Sequence, residues 1–510
     1  MSNIKYYIIL FLYTVFNVSC LENHSVISKK LNSTEIVFTN ADVFRNFNKL
    51  NTKNALEYTI LEKSQKYLGS NIKKHNIYIG SKYRKLEASV LGKFEKISKK
   101  SAKVVCSSET ISKILKKYSF MSKEQKDSVV QICGERNVNI LIGKAGSGKT
   151  TALKAIAETY RESGAQVIGM SLSALASENL EKYAKIESHS IAYWFHKKWK
   201  PSKSQLKQGD VIVVDEAGMV GTSEWKKILN AVVKFELKLI IVGDYNQFQP
   251  ISIGDCFKSF MDITNNLYKN NSIFELKEIR RQKKKWMQEA SVDFSNLKIS
   301  QALERYEKNK KILALGKAEK DAENIVAKKY LELEKLGGVV VLCYSKLECR
   351  AVNNAIRNAK KEKGELGEDV VIVNDRPFAI GEKIMLLHNE SVFKIKNGQT
   401  AIFKSYNDGI IHLETENGTI KRIDIEVYDQ IDYGYAITLH KSQGKSFKNV
   451  LVVASKMMDA RALYVAMTRH TDDIYLYYKR SDFGSFQDLI EHVSKYNYYK
   501  GFESLEDKVS

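Results

Sequence analysis

Proline is nearly missing from this chain, with 3 residues in 510. That leaves no material for a proline-rich linker or recognition segment. Cysteine is thin too: six residues, at 20, 106, 133, 256, 343 and 349. None forms a C-x-x-C pair, which excludes a zinc or disulfide framework and reads as reduced thiols of a cytosolic protein. There is no internal repeat and no low-complexity tract. Acidic residues are in deficit, 59 against 81 Lys and Arg, for a formal net charge of +22. Such a surplus favours an anionic partner, nucleic acid or an anionic membrane surface. Long uncharged runs are absent except at the start, where "MSNIKYYIILFLYTVFNVSC" carries one lysine and then an uncharged run from Tyr6 to Ser19. It is short for a membrane span. It reads as a signal or anchor, a buried helix, or a stretch attached by gene rearrangement, so membrane association stays open.

What is present is an alternation. From Phe120, apolar β-branched runs such as "VNILIG", "AQVIGM", "VIVVDEAG" and "KLIIVGD" are separated by amphipathic helical stretches. That is the pattern of buried parallel strands with helical crossovers, an α/β class. A second strand set begins at "GGVVVLCYS" and resumes at "GYAITLH", "NVLVVAS" and "DIYLYY". Between them, residues 370–428 carry short strands and turns, the texture of a small antiparallel β module. The expected division is as follows: a signal-like apolar segment at 1–20, a basic helical or linker region at 21–118, a first domain at 119–275, a second at 276–369 and 429–482, the inserted module at 370–428, and a tail at 483–510. Residues 286–336 are expected to be charged and helical.

The stretch "GKAGSGKT", Gly143 to Thr150, fits G-x-x-x-x-G-K-[ST] after a strand and before a helix. Glycines allow a tight loop whose N–H groups face phosphate oxygens, and the helix start adds positive potential. Gly143, Lys144, Ala145, Gly146, Ser147, Gly148, Lys149, Thr150 and Thr151 are therefore the expected nucleotide cradle. Lys149 can reach the β- and γ-phosphates of ATP, and Thr150 can bind Mg²⁺. A partner carboxylate belongs at the end of another buried strand. Asp215 can hold the magnesium through water, and Glu216 can orient and deprotonate the attacking water. Gln247 and Gln249 follow a third strand end, where an amide can sense the γ-phosphate. Gln125, ahead of an amphipathic helix, can pair the ring edge of adenine.

Together with "FELKEIRRQKKKWMQEASVDF", "CYSKLECRAVNNAIR", "YGYAITLHKSQG" and "RALYVAMTRH", these stretches resemble a superfamily 1 helicase of the RecD-like branch. Within it, the likeness is to the helicase portion of conjugative relaxases of the TraA/MobA type, from about Phe38 to about Tyr478. The resemblance implies two RecA-like parallel-sheet domains with ATP between them and a small β-barrel inserted in the second. It implies that Arg281 and Arg469 reach across the cleft to the γ-phosphate, with Arg280 as an alternative to Arg281. It implies that Gln443 and Gly444 turn toward ATP, while Thr438, His440 and Ser446, with Lys441 adding charge, face DNA phosphates. Ser171, Ser173, Ser190, Tyr193 and Trp194, after strand ends of the first domain, are the further DNA candidates.

The implied activity is ATP- and Mg²⁺-dependent movement on single-stranded DNA, or on DNA with a single-stranded tail, 5′ to 3′. Conjugation or DNA-processing proteins are the implied further partners. Full relaxases add a nicking domain with a histidine-cluster metal site, but the nine histidines here contain no H-x-H pair, so no nickase is expected. Two other readings remain: a decayed fragment that binds DNA and nucleotide without unwinding, and an unrelated P-loop ATPase anchored at a membrane. A secreted chain would meet little ATP, so the cytoplasm is the expected compartment.

Overall fold

The four apolar runs upstream of residue 244 are strands buried along their whole length, as parallel strands covered on both faces must be. The computed structural model describes residues 77–198, 206–250, 254–269, 272–316 and 319–495, with strands at Phe38–Thr39 and Tyr58–Leu61. The signal-like segment 1–20 and the tail beyond 495 lie outside the described residues.

Strands β1 (Phe38–Thr39), β2 (Tyr58–Leu61) and β3 (Ile77–Gly80) pair as a small antiparallel sheet in the order β1-β3-β2. The first large sheet uses β4 (Val138–Gly143), β5 (Val167–Ser171), β6 (Glu187–Ser190), β7 (Val211–Val214), β8 (Lys238–Gly243) and β9 (Ile273–Leu276), in the order β6-β5-β7-β8-β4-β9. Every pairing in it is parallel. The second large sheet comes from β10 (Ile312–Leu315) and β11 (Val339–Cys343), then β19 (Ala436–Thr438), β20 (Phe447–Val453) and β21 (His470–Lys479). Its order is β10-β21-β20-β11-β19, again all parallel.

Between β11 and β19 lie a hairpin, β12 (Asp369–Val373) with β13 (Arg376–Ala379), and a five-stranded antiparallel sheet. The latter orders β17 (Ile420–Asp424), β16 (Ile410–Thr415), β15 (Thr400–Asn407), β14 (Lys383–Leu386) and β18 (Ile431–Tyr433). No pairing joins β17 to β18 among the described residues, so it is an open sheet where the resemblance implies a barrel. Its inner residues Ile384, Phe403 and Leu413 share one core with Val341 and Leu451 of the second parallel sheet.

Two expectations change. The helix Ser81–Ser98 falls in the stretch expected as a basic helical or linker region ahead of the first domain, yet it packs into that domain's core as part of the first lobe. Val90, Leu91, Phe94 and Ile97 are buried in that lobe's core, and the Phe94 ring stacks on Phe260 at 3.9 Å. Lysines on its other face hide this stripe from a composition reading. Within 286–336, expected as helical throughout, β10 forms an edge strand paired to β21. Among the described residues no helix is long and apolar enough to cross a membrane.

Candidate active site

The glycine loop leaves β4 and closes into the helix Lys149–Glu162. Gly146 and Gly148 sit at φ +85° and +82°, where side chains are strained. A Cβ on Gly143 would lie 2.4 Å from the Lys149 side chain, one on Gly146 2.5 Å from Arg281, and one on Gly148 2.3 Å from Gln125. Bare backbone is needed at all three. Lys149 Nζ donates to the Gly143 and Lys144 carbonyls, its ammonium held over the mouth of the loop. Lys144 Nζ reaches Asn296 at 3.3 Å, the Ser147 N–H donates to the Lys144 carbonyl, and the Thr151 N–H donates to Gly148 O. Thr150 follows Lys149 in the first helical turn, half-buried.

The Gln125 amide is spent differently from the expected adenine contact. Its Oε1 closes a capping box with the Ser122 N–H at 3.0 Å, and its Nε2 donates to Gly148 O at 3.1 Å. Both ends brace protein, so no pairing edge is presented in this arrangement.

Asp215 and Glu216 stand at the end of β7. Glu216 takes a left-handed turn, φ +53°, and its N–H donates to Asp215 Oδ1 at 2.9 Å. Desolvation at the cleft floor, with repulsion from Glu216, pushes the Asp215 carboxyl up to about 7, although Lys149 opposes the shift. This carboxyl and the Thr150 hydroxyl, in the first turn of Lys149–Glu162, have the chemistry of hard-cation ligands; among the described residues no group of three or more His, Cys, Asp or Glu could hold a metal ion.

From the second lobe, Arg469 is 2% exposed. Its Nη2 donates to Gln247 Oε1 at 3.1 Å, and its Nε to Val465 O at 3.0 Å. Gln247 Nε2 donates to Asp244 Oδ2 at 3.0 Å. Arg281 stands on the segment linking the lobes: it packs against Gly146 and donates to Thr468 O at 2.8 Å. Burial and the neighbouring Arg469 push Arg281 down to about 9, and burial also lowers Arg469. Arg280 is exposed and pairs with Glu278, so it is Arg281 that enters the cleft. Gln249 Nε2 donates to Asp255 Oδ2 at 3.2 Å.

A cavity of about 380 Å³ opens beside this cleft, between the first lobe and the antiparallel module. Ser171, Ser173, Ser190, His440, Lys441, Gln443 and Glu216 line it. Gln443 Nε2 donates to Glu216 Oε2 at 3.4 Å, joining the cavity to the carboxylate pair. The His440 ring stacks on Phe248 of the first lobe at 4.4 Å and 5°. Thr438 is the half-buried N-cap residue of the short helix Leu439–Ser442. Ser446 is exposed, and Gly444 O accepts from Asn179 at 3.2 Å.

Trp194 departs from expectation. It is 5% exposed and its Nε1 donates to Gly169 O at 2.9 Å, so it is core and presents no stacking face. Tyr193 is more exposed but leans on His189 at 4.3 Å. Ser190 and Ser173 also cap helices through their hydroxyls. Sequence reading passed over Asn389 and Asn397 of the module, which line the cavity, and Phe248, Asp244 and Tyr464. The last three lie inside stretches already singled out, so their position was visible while their contacts were not.

Two family models match the chain: an AAA domain over residues 120–317 and a UvrD-like helicase C-terminal domain over 433–477. The conjugal transfer protein TraA of Agrobacterium fabrum is 31% identical over 81% of this chain, which covers 37% of that protein. The ATP-dependent RecD2 DNA helicase of Deinococcus radiodurans is 24% identical over 70% of this chain and 48% of its own length. Among solved structures, Bacteroides Pif1 bound to ssDNA is 19% identical, covering 70% of this chain and 91% of that one, with a TM-score of 0.46. The chain thus spans between 33% and 39% of the length of the TraA proteins it matches. Its fold is that of a P-loop ATPase. The two model matches and these relatives make the chain similar in architecture to helicases of the RecD kind, and its identity to the TraA conjugal transfer proteins is the higher of the two.

Proposed function

We propose that this chain is an ATP-dependent DNA helicase or translocase that moves 5′ to 3′ on single-stranded DNA, as the helicase part of a conjugative transfer system. One observation carries the reading. Arg281 packs against Gly146 of the phosphate loop with Arg469 beside it, and among the described residues neither is within ion-pair distance of a carboxylate, the charge of Glu216 offsetting only part of their desolvation. Buried cations are costly without a counter-charge, and a bound triphosphate supplies one.

In this reading the two parallel sheets are RecA-like lobes. The loop amides and Lys149 hold the phosphates of ATP, and Thr150 and Asp215 would hold Mg²⁺. That ion would neutralise charge on the phosphates when bound. Glu216 takes the proton of the attacking water, and Gln247 orients it. Arg281 and Arg469 meet the charge that develops on the transferred group. Ser171, Ser190, Thr438, His440 and Ser446 face the DNA backbone, with Asn389 and Asn397 across the cavity. Gln443, bonded to Glu216, joins the two sites, so strand occupancy and the catalytic carboxylate are read by one side chain. Such a motor works where ATP is, in the cytoplasm. The conjugative role rests on the similarity to TraA.

The test is ATP hydrolysis with and without single-stranded DNA, alongside displacement of a strand from a 5′-tailed duplex. Stimulation by DNA with displacement is expected. DNA affinity should fall steeply as salt rises from about 50 to 200 mM, since contact is with phosphates. Salt-sensitive binding without hydrolysis would leave the decayed fragment as the correct reading.

Asp215 gives a pH prediction. Its carboxyl, raised to about 7, is protonated below that value and ionised above it, and Mg²⁺ competes with the proton. Affinity for Mg²⁺-nucleotide should rise about tenfold from pH 6 to pH 8, with release of a proton. The folded state holds this proton more tightly than the unfolded chain does. The nucleotide-free protein should therefore lose stability as pH rises toward and through 7. Titration calorimetry in two buffers of different ionisation enthalpy reads the proton. Asp215→Asn should flatten the profile, and an unchanged profile in that variant would place the titrating group elsewhere.

A further inference from the structure

Beyond Arg461, the helix Ala460–Met467 is almost wholly apolar and buried: Ala462, Leu463, Val465, Ala466 and Met467 are all at most 1% exposed. Into this run the chain puts one phenol, Tyr464, itself fully buried. A hydroxyl there is costly unless both of its roles are used. Both are used on the opposite lobe. Tyr464 Oη accepts the Ala145 N–H at 2.9 Å and donates to Asp244 Oδ2.

Ala145 is the third residue of the phosphate loop, and Asp244 follows the last residue of β8. Asp244 also accepts from the Asn246 N–H at 3.1 Å and from Gln247 Nε2 at 3.0 Å, and Gln247 accepts from Arg469. Ala145, Tyr464, Asp244, Gln247 and Arg469 are thus one polar chain that crosses the cleft three times. Its second-lobe members, Tyr464 and Arg469, lie five residues apart on one helix and its end. Burial drives the Tyr464 hydroxyl well above its ordinary range, so it stays a donor at every working pH.

We propose that Tyr464 is a positioning residue: it latches the phosphate loop to the second lobe and fixes Asp244, and through it Gln247 and Arg469, in register with Ala145. This rests on the motor reading above. The latch makes closure of the lobes and alignment of the γ-phosphate sensor one event. A helix shift in the second lobe moves Arg469 and the loop anchor together.

Tyr464→Phe keeps the ring and removes only the hydroxyl. At saturating single-stranded DNA, kcat for ATP should fall about tenfold while KM for ATP stays within about twofold, because two buried partners lose alignment and no phosphate donor is removed. Asp244→Asn should fall similarly, and the double variant should lose no more than the worse single, since all act on one unit. Hydrogen exchange of the 143–151 peptide, which needs no turnover, should be about tenfold faster in Tyr464→Phe.

Wild-type protein that binds ATP without DNA-stimulated hydrolysis overturns the motor reading and leaves the exchange result to decide the latch. Unchanged exchange, or single losses that multiply in the double variant, overturns the latch. An effect on KM alone reduces Tyr464 to a packing role. If Tyr464→Phe fails to fold, Asp244→Asn decides: unchanged kcat there overturns the proposal.

Discussion

Lys149→Ala should lower ATP hydrolysis by on the order of 10³-fold at saturating DNA while leaving the protein folded. The ammonium is held by the Gly143 and Lys144 carbonyls, at the mouth of a loop whose other donors are backbone amides fixed by the fold. It is therefore the cationic donor at the mouth of the loop that a single side-chain change deletes. Folding should survive because Lys149 is the first residue of the helix Lys149–Glu162, where alanine is a strong helix former, and it is only half-buried. The cavity proposed to face DNA is lined by other elements, Ser171 and Ser190 on one side and His440 on the other. Single-stranded DNA affinity measured without nucleotide should accordingly stay within a few-fold of wild type. Loss of DNA binding together with hydrolysis would mean that the two sites are one unit. Retained hydrolysis would place the catalytic phosphate site elsewhere.

How much of this was readable in advance depended on how local the cause was. The phosphate loop was legible because strand, glycines and helix are contiguous, and the conformation they require is written into eight residues. The buried strands were legible because parallel pairing covers both faces and so demands unbroken apolar runs. Edge strands escape that rule. β6 is "ESHS" and β10 carries Leu313 at 37% exposure, so neither has a hydrophobic signature to read.

Aromatic residues failed for another reason. Trp194 follows the end of β6, as a base-stacking residue would, but its indole N–H finds Gly169 O in the adjacent strand β5, and the ring is drawn into the core. Nothing in the neighbouring sequence distinguishes the two outcomes. The polar chain through Tyr464 was invisible for the plainest reason: its partners lie 319 and 220 residues away. The resemblance supplied Arg469 and Gln443 as cleft residues, but what they bond to came only with the coordinates.

Arg469→Ala should lower kcat by about 10³- to 10⁵-fold, the range for a cation delivered to a transferring phosphoryl group. Arg281→Ala should lower it less, by roughly 10²-fold, as for loss of one preorganised donor. The difference follows from what each side chain holds. Arg469 donates to Gln247, the expected water-orienting amide, and is itself fixed by Val465 O and, more distantly, by Lys445 O at 3.4 Å. Its removal takes away a charge and also frees Gln247. Arg281 donates to Thr468 O and rests on Gly146, so its removal takes away charge while the rest of the polar chain persists. Arg469→Lys should not restore the rate, because one ammonium cannot span Gln247, Val465 and Lys445 as the planar fork does.

The pair also predicts a stability signature. Burial lowers both guanidinium groups and Arg469 depresses Arg281 further, with Glu216 offsetting only part of it, so like charges crowd the proposed triphosphate site in the nucleotide-free protein. A non-hydrolysable ATP analogue should raise the thermal midpoint of wild type by more than it raises that of Arg469→Ala, since it relieves a strain the variant no longer has. Equal shifts in the two proteins, or wild-type turnover in Arg469→Ala, would mean that the second lobe's cation never meets the triphosphate. Hydrolysis would then have no physical means of driving one lobe against the other.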